Sequence, residues 1–218
     1  MTEPVLYRWP PAAKFGRVVP KTRFYEHGNV RTALREKFVD DVQRVTWAYK
    51  LAESTVRLKG TDAVPEIQVF TVEAKGDDVS KDVLTAIDKA VHFPIIFEVL
   101  RGNEVRTVAA HKTLSGTAPK VGAYFTTPWL PGDATRSPLP AAIDLSALYE
   151  ALLSALLPIV TRRGESLSEV ADRMERATKL QREITALERK LRAEPQLNRK
   201  VELRRELKDR RAALAALV

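Results

Sequence analysis

The chain has 218 residues, 44% of them hydrophobic, and no cysteine; its 36 Lys and Arg against 28 Asp and Glu leave a formal charge of +8. That length supplies one packed core with an appendage rather than several domains. Without cysteine, disulfides and thiolate metal sites are excluded, and His27, His92 and His111 form no ligand pair at helical or finger spacing.

The longest apolar stretch, residues 145–160, is interrupted by Ser146, Glu150, Ser154 and Pro158, short of the roughly 20 apolar residues that span a bilayer. Residues 1–11 carry Glu3 and two adjacent prolines where a secretory signal needs a basic start and an apolar run. The expectation is a cytoplasmic protein that does not enter a membrane. Its basic surface strengthens encounters with polyanions, which makes nucleic acid the first partner to test. A charge surplus of this kind also serves solubility alone.

Up to about Asn29 the chain is rich in Pro, Lys and Arg with rings at Tyr7, Trp9, Phe15, Phe24 and Tyr25, the composition of an extended arm laid on a domain. Over residues 30–51, apolar side chains at Val30, Leu34, Phe38, Val42, Val45, Trp47, Tyr49 and Leu51 predict a first long helix with Asn29 as its N-cap. Residues 66–75 alternate and are rich in β-branched side chains, which predicts a strand ended by Gly76 and two aspartates. Ser80 then caps a short helix whose Val83, Leu84, Ile87 and Val91 face inward. Residues 92–100 are apolar enough for a strand buried on both faces, and Arg101, Gly102 and Asn103 turn it into a second strand over 104–111. A further strand over 121–129 and a proline-rich crossing over 128–140 precede a helix marked by Ile143, Leu145, Leu148, Leu152, Leu153 and Leu156. The fold class is α+β: a small mixed or antiparallel sheet with packed helices, over residues 1–163.

Residues 164–218 change to long charged helix formers. Leu167, Val170, Met174, Ala177, Leu180, Ile184, Leu187 and Leu191 step by three and four, and Leu197, Val201, Leu203, Leu207, Leu214 and Leu217 follow beyond Pro195. Pro195 ends one helix and suits the start of another, so the pattern predicts a basic, coiled-coil-like antiparallel hairpin. Such a hairpin either satisfies its own seam as a structural arm or serves for docking or homo-oligomerisation. Its arginines and lysines outnumber its acids, and Asn198, Arg199 and Lys200 at the bend, with Arg204 and Arg205 beyond, are candidate contacts for a partner or a phosphate backbone.

Two constellations carry candidate chemistry. Asp62, Glu73 and Lys75 fit the spacing of a Mg²⁺-dependent nuclease, in which two carboxylates hold the metal and a lysine orients the attacking water. Against this stand the loop position of Asp62 between Gly60 and Pro65 and the frequency of such charges at strand ends. Lys14, Arg17, Lys21, Arg23, Tyr25, Arg31, Arg35, Arg44, Trp47, Tyr49 and Lys50 gather cations and rings that suit nucleic acid, with Lys21, Arg23, Arg31 and Arg35 as the contact candidates. The competing reading makes Trp47 and Tyr49 core anchors and the arginines a solvated face. No Gly-rich phosphate loop, nucleophile elbow or zinc-deaminase pattern occurs.

The segments VPKTRFY (19–25), VTWAYKL (45–51), PEIQVFTVEAK (65–75), IDKAVHFPIIF (87–97) and QLNRKVEL (196–203), in this order, resemble the bacterial and archaeal domain-of-unknown-function family 4391 over almost the whole chain. The resemblance implies a setting beside superfamily-2 helicases and DNA methyltransferases in restriction-like or phage-defence-like clusters, and it brings no catalytic residue set. The leading expectation is therefore a non-catalytic accessory subunit, without a cofactor, that docks a helicase or methyltransferase and touches DNA. The alternative is the nuclease built on Asp62, Glu73 and Lys75, which would need Mg²⁺.

Overall fold

The N-terminal segment, expected as an arm lying on the domain, is woven into it, because its apolar side chains belong to the core. β1 (Leu6–Tyr7) and a 3-10 turn at Pro11–Ala13 bury Leu6, Trp9 and Ala13, and β2 (Lys14–Val18) forms the outer strand of a seven-stranded sheet. The structure, a computed structural model, describes residues 5–26, 32–114, 119–157, 162 and 165–217. Asn29 and Val30, the expected cap and first residue of the long helix, lie outside them.

Past α1 (Thr22–Glu26), the single helix expected over 30–51 is two elements: α2 (Thr32–Asp41) and a ten-residue strand, β3 (Val42–Leu51). The spacing that suggested a helix comes from a bulge. The ladder between β3 and its partner slips between Val42 and Arg44, so Val42 and Val45, three positions apart, are buried in the same core cluster. An uninterrupted strand would have sent them to opposite faces.

α3 (Glu53–Val56) leads towards β4 (Ile67–Ala74), α4 (Lys81–Ala90) and β5 (Ile95–Arg101). β4 and β5 are parallel neighbours joined through α4. The turn at Gly102, with φ +53°, sends the chain into β6 (Glu104–Thr113), and the β5–β6 hairpin matches the sequence reading. β7 (Lys120–Thr126), β8 (Leu130–Pro131) and β9 (Arg136–Ser137) follow, then α5 (Leu145–Ser154). The sheet order is β2-β3-β4-β5-β6-β7, with β8 also beside β6, and every pairing in it apart from β4–β5 is antiparallel.

On one face, Phe70, Val72, Phe97, Val99 and Val108 pack against Phe24, Phe38 and the inward side of α4. Alternation places Ile67, Val69, Ile96, Val105 and Ala109 on the opposite face, where they are equally buried. α5 belongs to that side: Tyr149 stacks with His111 and donates its hydroxyl to the Ala110 carbonyl at 2.6 Å. The buried carboxylate of Glu98 also faces there, accepting from Trp9 Nε1 at 2.8 Å and Arg136 Nη1 at 2.6 Å. It ties the small parallel pair β1–β9 to the main sheet.

The chain divides into two compact units, Met1–Pro158 and Ile159–Val218. The second holds α6 (Leu167–Ala193) and α7 (Leu197–Leu217), two long helices packed on each other around Pro195. No helix among the described residues is long and apolar enough to cross a membrane.

Candidate functional site

The hairpin is fixed at its ends before its surface is considered. Ser166 and Glu169 form a reciprocal cap at the start of α6, with Ser166 N donating to Glu169 Oε2 at 2.8 Å. Arg173 donates twice to Glu165, at 2.6 and 2.7 Å, and once to the Leu217 carbonyl at 2.8 Å, which ties the end of α7 to the first turns of α6. These bonds and the backbone N–H of Arg162 hold the Glu165 carboxyl down at about 2. Between the ends, Ile184 and Leu187 interlock with Leu203 and Leu207, with Leu191 and Leu214 alongside.

Leu197 and Val201, expected in this seam, lie outside it at 71% and 58% exposure. With the helical step of about 100° per residue and Lys200 set at 0°, the seam residues Leu203, Leu207 and Leu214 lie at about 300–340°. Leu197 and Val201 come at about 60° and 100°, on another side.

The same projection sorts the charges of α7. Lys200, Arg204, Lys208 and Arg211 fall within about 80° of arc and run for about 16 Å beside the seam. Glu202, Glu206 and Asp209 fall at about 180–240°, on the opposite flank. There Arg199 pairs with Glu202, and Arg210 with Glu183 and Glu206. On the cationic flank Arg211 pairs with Glu188, whereas Lys200, Arg204 and Lys208 have no ion-pair partner among the described residues, nor does Arg205. Arg204, Lys208 and Arg211, together with Arg192 of α6, line an open groove of ≈ 670 Å³ whose apolar lining is Leu191 and Leu207. Of the bend candidates, Asn198 and Arg199 are exposed and Lys200 is half-buried; Arg204 and Arg205 are exposed.

The candidates in the first unit behave differently. Lys21 is turned inward, donating to the carbonyls of Phe38 at 3.1 Å and of Val42, so it caps the C-terminal end of α2. Burial, helped by the charge of Lys75, lowers its pKa. Arg23 is exposed, Arg35 lies over the Tyr25 ring at 5.7 Å, and Arg31 is outside the described residues. Trp47 is packed between Phe15 at 4.1 Å and Phe70 at 6.1 Å, which commits its ring faces to the protein.

The nuclease residues are not brought together. Asp62 precedes the start of β4, and Glu73 lies six residues beyond its first residue Ile67, which at about 3.3 Å per residue is about 20 Å along the strand. Glu73 accepts from Arg44 at 2.8 and 2.5 Å, and Lys75 donates to the Val39 carbonyl at 2.6 Å. Register instead brings Asp41 to this strand end. Its carbonyl accepts from Lys75 N at 2.9 Å and its carboxylate from Ser80 N at 3.0 Å. Among the described residues no three His, Asp or Glu are grouped so as to hold a metal ion.

One titratable cluster escaped the sequence reading. The side chains of Asp88 and Lys112, 1% and 0% exposed, form an ion pair beneath α4. Lys112 Nζ also donates to the carbonyls of Asp88, Val91 and Phe93 at 2.7–2.9 Å, and Tyr124 donates to Asp88 at 2.8 Å. Burial pushes Asp88 up and Lys112 down. The cluster is a cationic cap on the end of α4. Its signal in the sequence was a lysine in phase with the inward Val108 and Ala110 of β6.

One family model, described as Domain of unknown function (DUF4391), matches residues 8–214. No curated protein and no solved structure matches the chain.

Proposed function

Because the chain belongs to the DUF4391 family, we propose that it is a non-catalytic docking subunit of a DNA-handling system, with the hairpin as its docking arm and a helicase or a DNA methyltransferase as its partner. The observation that carries this reading is the sorting of charge on α7. On α7 the acids and their partners occupy one flank; the other carries Arg211, paired with Glu188 of α6, and Lys200, Arg204 and Lys208, which have no ion-pair partner among the described residues, beside an open groove. A structural arm gains nothing from this segregation, because interspersed charges would hold its helices together as well and repel less. A surface that waits for an acidic partner gains attraction and orientation from it. The nature of the partner enters through the family resemblance.

The test uses the full chain and the triple variant Lys200→Gln/Arg204→Gln/Lys208→Gln, titrated calorimetrically against a superfamily-2 helicase and a DNA methyltransferase. The expected result is binding to one of them, weakened at least about tenfold in the variant. Binding to neither, or equal binding by the variant, would overturn the reading. Contact with DNA is read separately, from the anisotropy of a labelled duplex across a salt series. Neutralising one phosphate accounts for about 0.9 of the slope of log K against log salt, so a variant without three such cations should show a slope shallower by about 2.7.

A further inference from the structure

We propose that the groove between α6 and α7 seats an acidic amphipathic helix of the docking partner, completing a three-helix bundle at the bend end of the hairpin. This rests on the docking reading and names the chemistry of what docks. Charge alone would suit any polyanion; the apolar groups among the charges do not. Leu197 at 71% exposure and Val201 at 58% are, among the described residues, the most exposed large aliphatic side chains of the hairpin. On the helical projection they fall at about 60° and 100°, within or beside the arc of Lys200, Arg204 and Lys208. Leu191 and Leu207 line the adjoining groove.

The flank therefore intersperses aliphatic side chains with cations; Lys200, Arg204 and Lys208 have no ion-pair partner among the described residues, and the one acid lining the groove, Glu188, is already paired with Arg211. The flank's complement is a helix with leucine-like residues at three- and four-residue spacing and acids on both borders. Two packed helices leave such a furrow along their shared seam, and a third helix fills it with the same knobs-into-holes geometry that holds the pair. A nucleic-acid backbone uses the cations but finds no partner surface in Leu197 and Val201, since phosphate contacts are made by charged and polar groups. Four solvent-facing or groove-lining aliphatics on the cationic side thus favour a protein helix over DNA.

The experiment uses the full chain, a labelled acidic amphipathic peptide of about 20 residues, long enough to hold a helix alone, a scrambled peptide of the same composition, and a labelled DNA duplex. Anisotropy is read for the wild type, for Leu197→Ser/Val201→Ser, and for Lys200→Gln/Arg204→Gln/Lys208→Gln. Apart from the half-buried Lys200 the substituted positions are exposed, and thermal melts confirm that the variants remain folded. The amphipathic peptide should bind the wild type at least about tenfold tighter than the scrambled one, and each variant should bind it about tenfold more weakly. Equal binding of both peptides, or no effect of Leu197→Ser/Val201→Ser, would overturn the proposal. So would a duplex that binds more tightly than the peptide and is displaced by it. A dimer of the full chain that dissociates in Leu197→Ser/Val201→Ser would place a second copy in the groove and overturn it as well. If that variant still binds the helicase or methyltransferase with wild-type affinity, the groove fails while the docking reading stands; if no partner binds at all, the docking reading has failed.

Discussion

Replacing Lys112 by Met removes the cation beneath α4 and nearly preserves volume. The ammonium group, fully buried, serves three carbonyls and the Asp88 carboxylate. Its loss leaves Asp88 in the interior with the Tyr124 hydroxyl as a remaining partner. Breaking one side of a buried pair costs about 3–5 kcal/mol, because the uncompensated charge stays behind. In a chain of this size, where each kcal/mol is worth roughly 2–4 °C, the melting temperature should fall by about 6–20 °C. Removing the stranded charge in Lys112→Met/Asp88→Asn should recover part of the loss. The penalty also depends on pH. Burial raises Asp88 already in the wild type, and losing its cation raises it further. A carboxylate whose folded pKa lies above its unfolded one costs stability as pH rises through that interval, so the Lys112→Met defect should be smaller at pH 4 than at pH 7. Urea unfolding at both pH values measures this. A single-variant loss below about 1 kcal/mol, or a double variant no better than Lys112→Met, would refute the account of the cluster as a charge-balanced helix cap.

Asp41, not Ser80, holds the start of α4, because the Ser80 side chain makes no capping bond and its buried Oγ has no partner among the described residues. Ser80→Ala should therefore change stability by no more than about 0.5 kcal/mol, whereas Asp41→Ala should cost about 1–2 kcal/mol in the same denaturant assay. Lys21→Met should lower stability by about 1 kcal/mol through the end of α2 and leave duplex anisotropy unchanged, separating a structural lysine from the sequence-level contact assignment. The Glu165–Arg173 tie is present above the ordinary glutamate range and is lost as pH falls from about 4.5 towards 2. Hydrogen exchange corrected for intrinsic rates should show the last turn of α7 losing protection over that interval, and Glu165→Gln should show the loss already at neutral pH.

The parts of the fold that local pattern alone determines were readable in the sequence. The β5–β6 hairpin was fixed by an apolar run and a Gly turn, and α6 and α7 by long stepped seams around Pro195. β3 was not readable, because its bulge imposed helical spacing on Val42 and Val45. Nor was the weaving of the N-terminal segment, which depends on Trp9 reaching Glu98 across 89 residues of chain. Of the candidate contacts, Arg204 and Arg205 are exposed and have no ion-pair partner among the described residues, while Lys21 serves a helix end and Arg199 serves Glu202. Composition reports how many charges a segment has; pairing depends on which of them the fold brings within reach.

The motif spacing behind the nuclease alternative shows the same dependence from the other side. Asp62 and Glu73 are eleven positions apart in a numbering that runs through a loop and then the length of β4, and the strand carries them to opposite ends. Antiparallel pairing with β3 makes Asp41 the acidic neighbour of Lys75 instead, although 34 positions separate them in the sequence, and hydrogen bonds already engage both. On α7 the numbering and the geometry agree, because a helix converts steps of four into one flank without help from any other element. The arrangement of cations along α7 is therefore a local property of its own residues, whereas the neighbours of Glu73 and Lys75 are set by the pairing of strands distant in sequence.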